Sequence, residues 1–469
     1  MLPTLPWEIW SHIASYLSKG QLETLYSVNR PLYEISLNAR YKTLRIKYAD
    51  KRIISRLRTV RDTVSIAGRV QDLNIDIWSL ASDRSWTERS TRLQRLGMRL
   101  RRLNQLLSTG PTKHNPSAPK LLLEAVNKMN GLRSVYFDLY CDASERHLQM
   151  VDCIWSILSG RVESLSIRLW GSKTHFVCPM FSNILGIKHL SVTLRGAYRS
   201  DGVALGVASI INAASASLES FHLEISGMSP SDSSHEIFER LYPFPRLKCV
   251  HFAFCGSQAG SEAVTFLNAH GEGLEELRLS AAGVVPFSVS ALHLPMLHKL
   301  SADWSFCCNW NDDIQPGGAV INFPMLDCLR ITGTCNKGQN ITSFCDMFKL
   351  ASGNGLRRLE LLCESTDAEA FDHLAEAFPN LHTLILRTTS LSNPSGSYLR
   401  WDVESFAAEM ENRNYSAWSL YDLEIAPVAR PFGGFRYPWY EVMKIVASRI
   451  PSVRSFCGSG HMDSPNNAE

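Results

Sequence analysis

From about residue 130 onward, apolar and polar positions follow one short rhythm, apolar-x-x-apolar-x-apolar. It reads Leu132-Val135-Phe137, Val162-Leu165-Ile167, Ile187-Leu190-Val192, Leu218-Phe221-Leu223, Leu247-Val250-Phe252 and Leu274-Leu277-Leu279. It continues as Leu297-Leu300-Ala302, Leu326-Leu329-Ile331, Leu356-Leu359-Leu361 and Leu381-Leu384-Leu386; the region Asn393 to Arg430 carries a longer insertion before its strand, Leu420-Leu423-Ile425. Successive starts from Leu132 to Leu381 lie 23 to 31 residues apart. Such a period marks a solenoid, in which no unit buries its apolar positions alone. Each occurrence ends in a period-two segment, which predicts a half-buried strand. Gly202 to Ala214 and Asp367 to Ala377 have helical character, so one strand and one helix per repeat is expected. Pro243-Phe244-Pro245, Phe323-Pro324 and Phe378-Pro379 precede strands. Proline there stops a helix and resets the chain toward extended structure. The predicted fold class is α/β with a curved, mainly parallel sheet.

The first forty residues carry a different period. Ile9, Ile13, Tyr16 and Leu17 make one helical apolar stripe, and Leu22, Leu25, Val28 and Leu32 make a second. Ser18-Lys19-Gly20-Gln21 is expected to be the turn between them. Pro6 and Glu8 suit a helix N-terminus, whereas Pro31 is expected to interrupt the last helix. Two or three short helices cannot bury both stripes among themselves, so an apolar face is left for something else to cover. The run Leu5-Pro6-Trp7-Glu8-Ile9, the spaced aliphatics and Val28-Asn29-Arg30 resemble an F-box, the helical module that docks onto the Skp-type adaptor of a cullin ubiquitin ligase. The resemblance implies adaptor contacts from Leu5, Pro6, Ile9, Ile13, Leu17, Leu22, Leu25 and Val28. It also implies a substrate receptor rather than a catalyst. The sequence departs from the family at Asn29, where cysteine is common, and at Tyr33, where tryptophan is common.

The downstream pattern resembles leucine-rich repeats, without their usual asparagine after the strand. Gly171, Gly196, Gly227, Gly256, Gly283 and Gly333 lie a few residues past the strands instead, where glycine permits a tight exit turn. The irregular repeat lengths resemble the diverged repeats of fungal F-box proteins. Tyr41-Leu44-Ile46 and Val70-Leu73-Ile75 read as degenerate first repeats. The expected organisation is an F-box over 1–45, a basic connecting region over 46–131, a solenoid over 132–457 and a frayed tail over 458–469.

Composition changes this picture little. Of 469 residues, 45% are hydrophobic and 20% charged, an ordinary balance for a soluble domain. No stretch approaches the ~20 apolar residues of a membrane span, and no secretory leader is read at the N-terminus. Twelve cysteines are scattered without a C-x-x-C pair, Cys307-Cys308 being adjacent. Reduced thiols in the cytoplasm or nucleus account for them. The net charge of +3 conceals an asymmetry: residues 40 to 113 hold 18 Lys and Arg against 6 Asp and Glu. Within that segment, Trp86 to Ser108 reads as an amphipathic helix with a basic stripe, a solvated face or a binder of anionic groups or nucleic acid. Thr109 to Pro119 reads as an exposed loop.

No phosphate-cradling glycine loop, zinc spacing or nucleophile motif is found, so no cofactor, metal or catalytic residue is assigned. The strands offer a binding surface instead. Where leucines point inward, the third, fifth and seventh motif positions point outward together. The fifth positions include His222, His251, Arg278, Ser301, Arg330 and Glu360; the third and seventh add Glu276, Lys299, Asp303, Arg358 and Arg387. His222, His251, Arg278, Arg330 and Glu360 are the candidate target-binding residues, with Arg278 and Arg330 open to pairing with Glu276 or Asp303. Three readings follow: a substrate receptor of a Skp-cullin-F-box ligase, a non-degradative scaffolding repeat protein, or a binder of anions or nucleic acid through the basic segment.

Overall fold

The computed structural model describes residues 5–47, 50–76, 118–140, 145–170, 181, 184, 186–196, 201–226, 234–255, 260–282, 292–304, 306, 323–332, 341, 344–345, 348, 355–391, 403–427 and 439–456. They belong to two compact units, Met1–Leu218 and Glu219–Glu469. That boundary falls inside the fourth repeat motif, at a place the leucine period does not mark.

The first unit opens with three helices, α1 (Trp7–Ser15), α2 (Lys19–Thr24) and α3 (Arg30–Tyr41). Local chemistry sets their ends. Ser18 and Gln21 form a reciprocal capping box: the Gln21 amide donates to Ser18 Oγ (3.4 Å) and the Ser18 amide to Gln21 Oε1 (2.8 Å). The expected turn at Ser18–Gln21 is therefore the cap and first turn of α2. Asn29 Oδ1 accepts from the Leu32 amide at 2.9 Å and caps α3. Pro31 sits in the first turn of α3, where its missing N–H costs nothing, so it starts the helix instead of interrupting it.

Strands β1 (Thr43–Ile46), β2 (Asp72–Asp76), β3 (Ser134–Tyr140), β4 (Ser164–Trp170) and β5 (His189–Arg195) follow, each parallel to the next. The two degenerate motifs are thus true strands, and the sheet begins at Thr43, inside the segment assigned to the F-box. A helix over Ala118–Lys128 takes the last two residues of the expected loop, and Ala118 is buried. The basic helix expected over Trp86–Ser108 lies outside the described residues.

The second unit holds β6 (Ser220–Ser226), β7 (Cys249–Cys255), β8 (Glu276–Ala282), β9 (Lys299–Asp303), β10 (Cys328–Thr332), β11 (Arg358–Thr366), β12 (Thr383–Leu391), β13 (Asp422–Pro427) and β14 (Ser455–Phe456). Every pairing is parallel, one strand per repeat, and helices such as Ala368–Ala377 and Val403–Met410 lie between strands. This is the α/β repeat architecture expected from the period. The register joins leucine to leucine: Leu277↔Leu300, Leu300↔Leu329, Leu329↔Leu359, Leu359↔Leu384 and Leu384↔Leu423. Leu277, Leu329, Leu359 and Leu384 are all fully buried.

Aromatic side chains fill the space between strand and helix. Phe244, Phe323 and Phe378, read from sequence only as neighbours of a helix-stopping proline, are core residues at 0 to 2% exposure. Of the exit glycines, Gly196 is described and takes φ 114°, a left-handed value that favours glycine. Gly171, Gly227, Gly256, Gly283 and Gly333 lie outside the described residues.

Two substitutions test the register. Leu329→Ala removes a fully buried leucine flanked by Leu300 and Leu359 and is expected to cost ~2–5 kcal/mol. Arg330→Ala, one residue on and exposed, should cost less than ~1 kcal/mol. Equal losses in chemical denaturation would overturn the inward–outward assignment. Gly271→Ala probes a different constraint, because a Cβ there would run into the His293 carbonyl. Its melting temperature should fall by several degrees, and an unchanged value would show that the backbone yields.

Candidate functional site

Two surfaces stand out. The first is on α1–α3. The three helices bury Ala14, Leu22, Leu32 and Ser36, and α3 packs on both α1 and α2. Ser36 Oγ donates to the Leu22 carbonyl at 3.1 Å across that packing. What remains outside is apolar. Among the described residues fourteen large hydrophobics are exposed, and eight of them fall between Leu5 and Tyr33: Leu5, Trp7, Ile9, Ile13, Tyr16, Tyr26, Val28 and Tyr33. Lone exposed hydrophobics need no explanation, but such a concentration does.

The predicted adaptor set divides. Leu5, Pro6, Ile9, Ile13 and Val28 are exposed, and Leu17 and Leu25 are half-buried. Leu22 is 7% exposed and faces the module's interior, so it holds the helices together and offers nothing to a partner. Trp7, Tyr16, Tyr26 and Tyr33 were not assigned a contact role from the sequence. Aromatics at the flank of an apolar stripe were the signal available, because such rings combine large apolar area with a polar tip.

The second surface is the outward face of the second unit's strands. Register brings the fifth-position residues into one row: His222↔His251↔Arg278↔Ser301↔Arg330↔Glu360↔Ile385↔Glu424. All five predicted target residues therefore lie in one row, with Ser301 between Arg278 and Arg330. His222 and His251 stack with ring centroids 4.1 Å apart and planes 5° from parallel. Burial disfavours the charged form of both rings, and Arg278 adds repulsion. The His251 pKa is lowered to about 4, its second cause being the neighbouring His222.

Arg278 Nε donates to Glu276 Oε1 at 2.6 Å, and Nη2 of the same guanidinium lies 2.6 Å from that oxygen. Arg330 pairs with Glu360 (3.4 Å), not with Asp303. Glu360 also holds Arg387 at 3.7 Å. Asp303 instead accepts from the Ala281 amide at 3.0 Å. Ile385 departs from the alternation, being 5% exposed at an outward position. Between β8 and β11 the face dips into an open cavity of about 220 Å³. Its outward lining is Glu276, Arg278, Lys299, Ser301, Cys328, Arg330, Arg358 and Glu360.

The first unit's strand face also pairs polar groups with one another. Trp170 Nε1 donates to Asp138 Oδ1 (2.6 Å), Arg168 pairs with Asp138 (3.6 Å), and Arg168 and Arg195 lie over the rings of Tyr136 and Trp170. Burial, with Asp138 adding to it, pushes the Tyr136 hydroxyl up to about 12.

No protein-family model matches the chain, and no curated protein matches it. Among solved structures, the chain is similar to one from the Rad7 and Elc1 complex in yeast, at 11% identity and a TM-score of 0.35, covering 96% of this chain and 86% of that one. It is also similar to the leucine-rich repeat-containing protein LegL7 from Legionella pneumophila, at 14% identity and a TM-score of 0.36, covering 76% of this chain and 93% of that one.

Nothing among the described residues gathers three or more His, Cys, Asp or Glu into a metal-holding group. No described helix is long and apolar enough to cross a membrane. The two described surfaces are thus an apolar helical patch and a polar strand face.

The histidine stack makes a pH prediction with a definite sign. Both folded-state pKa values lie below the ordinary histidine value, so the unfolded chain binds more protons in the interval between. The neutral pair's contribution is complete above about pH 6.5 and is lost as pH falls from there toward about 4. NMR titration should find His251 still neutral at about pH 5.5, and a His222→Gln/His251→Gln variant should lose stability less steeply on acidification. A His251 midpoint at or above the ordinary value would contradict the stacked, desolvated arrangement.

Proposed function

We propose that the chain is a substrate receptor of a Skp-cullin-F-box ubiquitin ligase, with α1–α3 docking a Skp-type adaptor and the repeat sheet holding a protein target. The observation that carries this reading is the concentration of exposed apolar side chains on a module two of whose helices, α2 and α3, are capped by their own side chains. A face of that kind suits a partner's helices or groove. By this reading the chain holds no catalytic residue. It works by tethering, which raises the effective concentration of target lysines near the ubiquitin-charged enzyme. A cytoplasmic or nuclear location belongs to the same proposal.

For the anion or nucleic-acid reading, two cations in the described part of the basic segment are already paired. Arg61 is engaged by Asp62 (2.6 Å) and Glu124 (3.4 Å), and Arg69 by Glu34. A non-degradative scaffold would use the same two surfaces, and accumulation of the target on deletion of the chain separates it from a receptor.

The adaptor site is tested with exposed positions that leave the fold intact. Ile9→Asp/Val28→Asp should weaken binding to a purified Skp-type adaptor by about a hundredfold, the scale of a lost interface hot spot. Tyr421→Asp, exposed on the second unit, should leave it unchanged. Leu22→Ala should instead lower the module's stability. Normal adaptor affinity in the Ile9/Val28 variant, measured by titration calorimetry, would remove this reading.

A further inference from the structure

The cavity on β8–β11 holds charge that the fold itself does not use. Four cations line it: Arg278, Lys299, Arg330 and Arg358; its two carboxylates are Glu276 and Glu360. Both carboxylates are committed. Glu276 lies beside Lys299 in register, but Arg278 holds it at 2.6 Å. Glu360 lies beside Arg358 in the chain's next but one position, but it is shared between Arg330 and Arg387. Lys299 and Arg358 are therefore left exposed, with no ion pair to another described residue.

Their placement is regular. Lys299, Cys328 and Arg358 occupy one row on β9, β10 and β11, and Arg278, Ser301 and Arg330 occupy the adjacent row on β8, β9 and β10. In each row a small side chain stands between two long cations, which is what hollows the face. Strands about 4.8 Å apart place Lys299 and Arg358 roughly 10 Å from each other. About three residues of an extended chain cover that distance.

We propose that this cavity binds an extended acidic segment of a partner protein, with one carboxylate on Lys299 and another, two to four residues away, on Arg358. The inference rests on the receptor reading and names the class of target it would hold. The separated, singly charged cations suit separate carboxylates, and the two engaged arginines supply further positive potential. The alternative polyanion is a nucleic acid, and the make-up of the lining disfavours it. None of the lining side chains is aromatic, so the cavity has no platform on which bases stack.

The test uses the full chain and a fluorescent peptide of about ten alternating Asp and Glu residues, roughly 30 Å when extended and long enough to cross the cavity. Binding is expected, weakening as salt rises from about 50 to 200 mM. The Asn/Gln version of the peptide should not bind. Lys299→Glu/Arg358→Glu should weaken the acidic peptide at least about tenfold, and the milder Lys299→Gln/Arg358→Gln about threefold or more. A control reversal of two exposed cations away from the strand face, Arg246→Glu/Lys444→Glu, should keep wild-type affinity. Thermal melts of all variants should coincide. Absence of binding to the wild type, an equal loss in the control, or full retention in Lys299→Glu/Arg358→Glu would each overturn the proposal. So would an oligothymidine that binds as tightly as the peptide and loses affinity in the same variants, since it would assign the cavity to nucleic acid. Adaptor affinity measured on the same samples reports separately on α1–α3. Its loss with peptide binding intact would count against the ligase reading and leave the cavity assignment standing.

Discussion

Each unit depends on one lateral step, repeated at the entries to β2–β5 and to β7–β14. A single carbonyl accepts two successive amide donors from the next repeat. In the first unit Lys42 O takes Gln71 and Asp72, Gln71 O takes Arg133 and Ser134, Arg133 O takes Glu163 and Ser164, and Glu163 O takes Lys188 and His189. In the second unit the same step runs through Glu219, Lys248, Glu275, His298, Asp327, Arg357, His382 and Tyr421, and ends at Arg454 and Ser455. Because this step recurs at the same motif position, the next residue inward is always a core leucine or its equivalent. A slip of one residue would turn every leucine to the outside. The entry bonds therefore fix both the buried ladder and the outward one. Side chains at the same position add charges of alternating sign in places, as where Lys188 meets Glu163 at 3.6 Å and Lys248 meets Glu275 at 2.7 Å. These pairs are exposed and contribute little beside the backbone step.

The second constraint is volume. Repeats of unequal length must still meet their neighbours at strand spacing, and aromatic rings absorb the difference. Phe221, Phe244, Phe252 and Phe266 pack with centroids 5.9 to 6.4 Å apart, in edge-on, tilted and stacked geometries. His270 joins them: its Nε2 accepts from the Phe244 amide at 2.9 Å, and its other ring nitrogen meets the Phe266 carbonyl at 2.7 Å. That carbonyl contact places the proton on Nδ1, and burial keeps the ring neutral. A histidine here does the backbone's work at a turn, where an amide would otherwise be buried unpaired.

The repeat array was readable because its signal is additive: eleven motifs each repeat the same inward positions, so even Tyr41-Leu44-Ile46 and Val70-Leu73-Ile75 could be placed. The helical module was harder. Ser18, Gln21, Asn29 and Pro31 belong to capping chemistry, and the same residue types make turns and break helices, so their sequence signature has two readings. Leu22 and Val28 look alike on a stripe. Only the packing of α2 against α3 makes one interior and the other surface. On the strand face, which acid neutralises which arginine depends on lateral neighbours that a single sequence does not order. Arg330 has Glu360 directly beside it in register, while Asp303 is drawn away to the Ala281 amide.

That competition for carboxylates decides where free charge remains. Along the fifth-position row each arginine finds an acid one strand away or two residues back, and the local charge closes on itself. Along the third-position row the acid beside Lys299 is already taken, and Arg358 has Cys328 on one side and Thr383 on the other. The residues most prominent in the sequence, Arg278 and Arg330, are therefore the ones the fold has half neutralised. The less conspicuous pair keeps its full charge toward solvent. In a solenoid, each repeat answers mainly to its neighbours, so such a pair can vary without disturbing the core leucines behind it. Charge on this face is thus separable from stability, as Lys299 and Arg358 stand beside fully or almost fully buried Leu300 and Leu359 yet take no part in burying them.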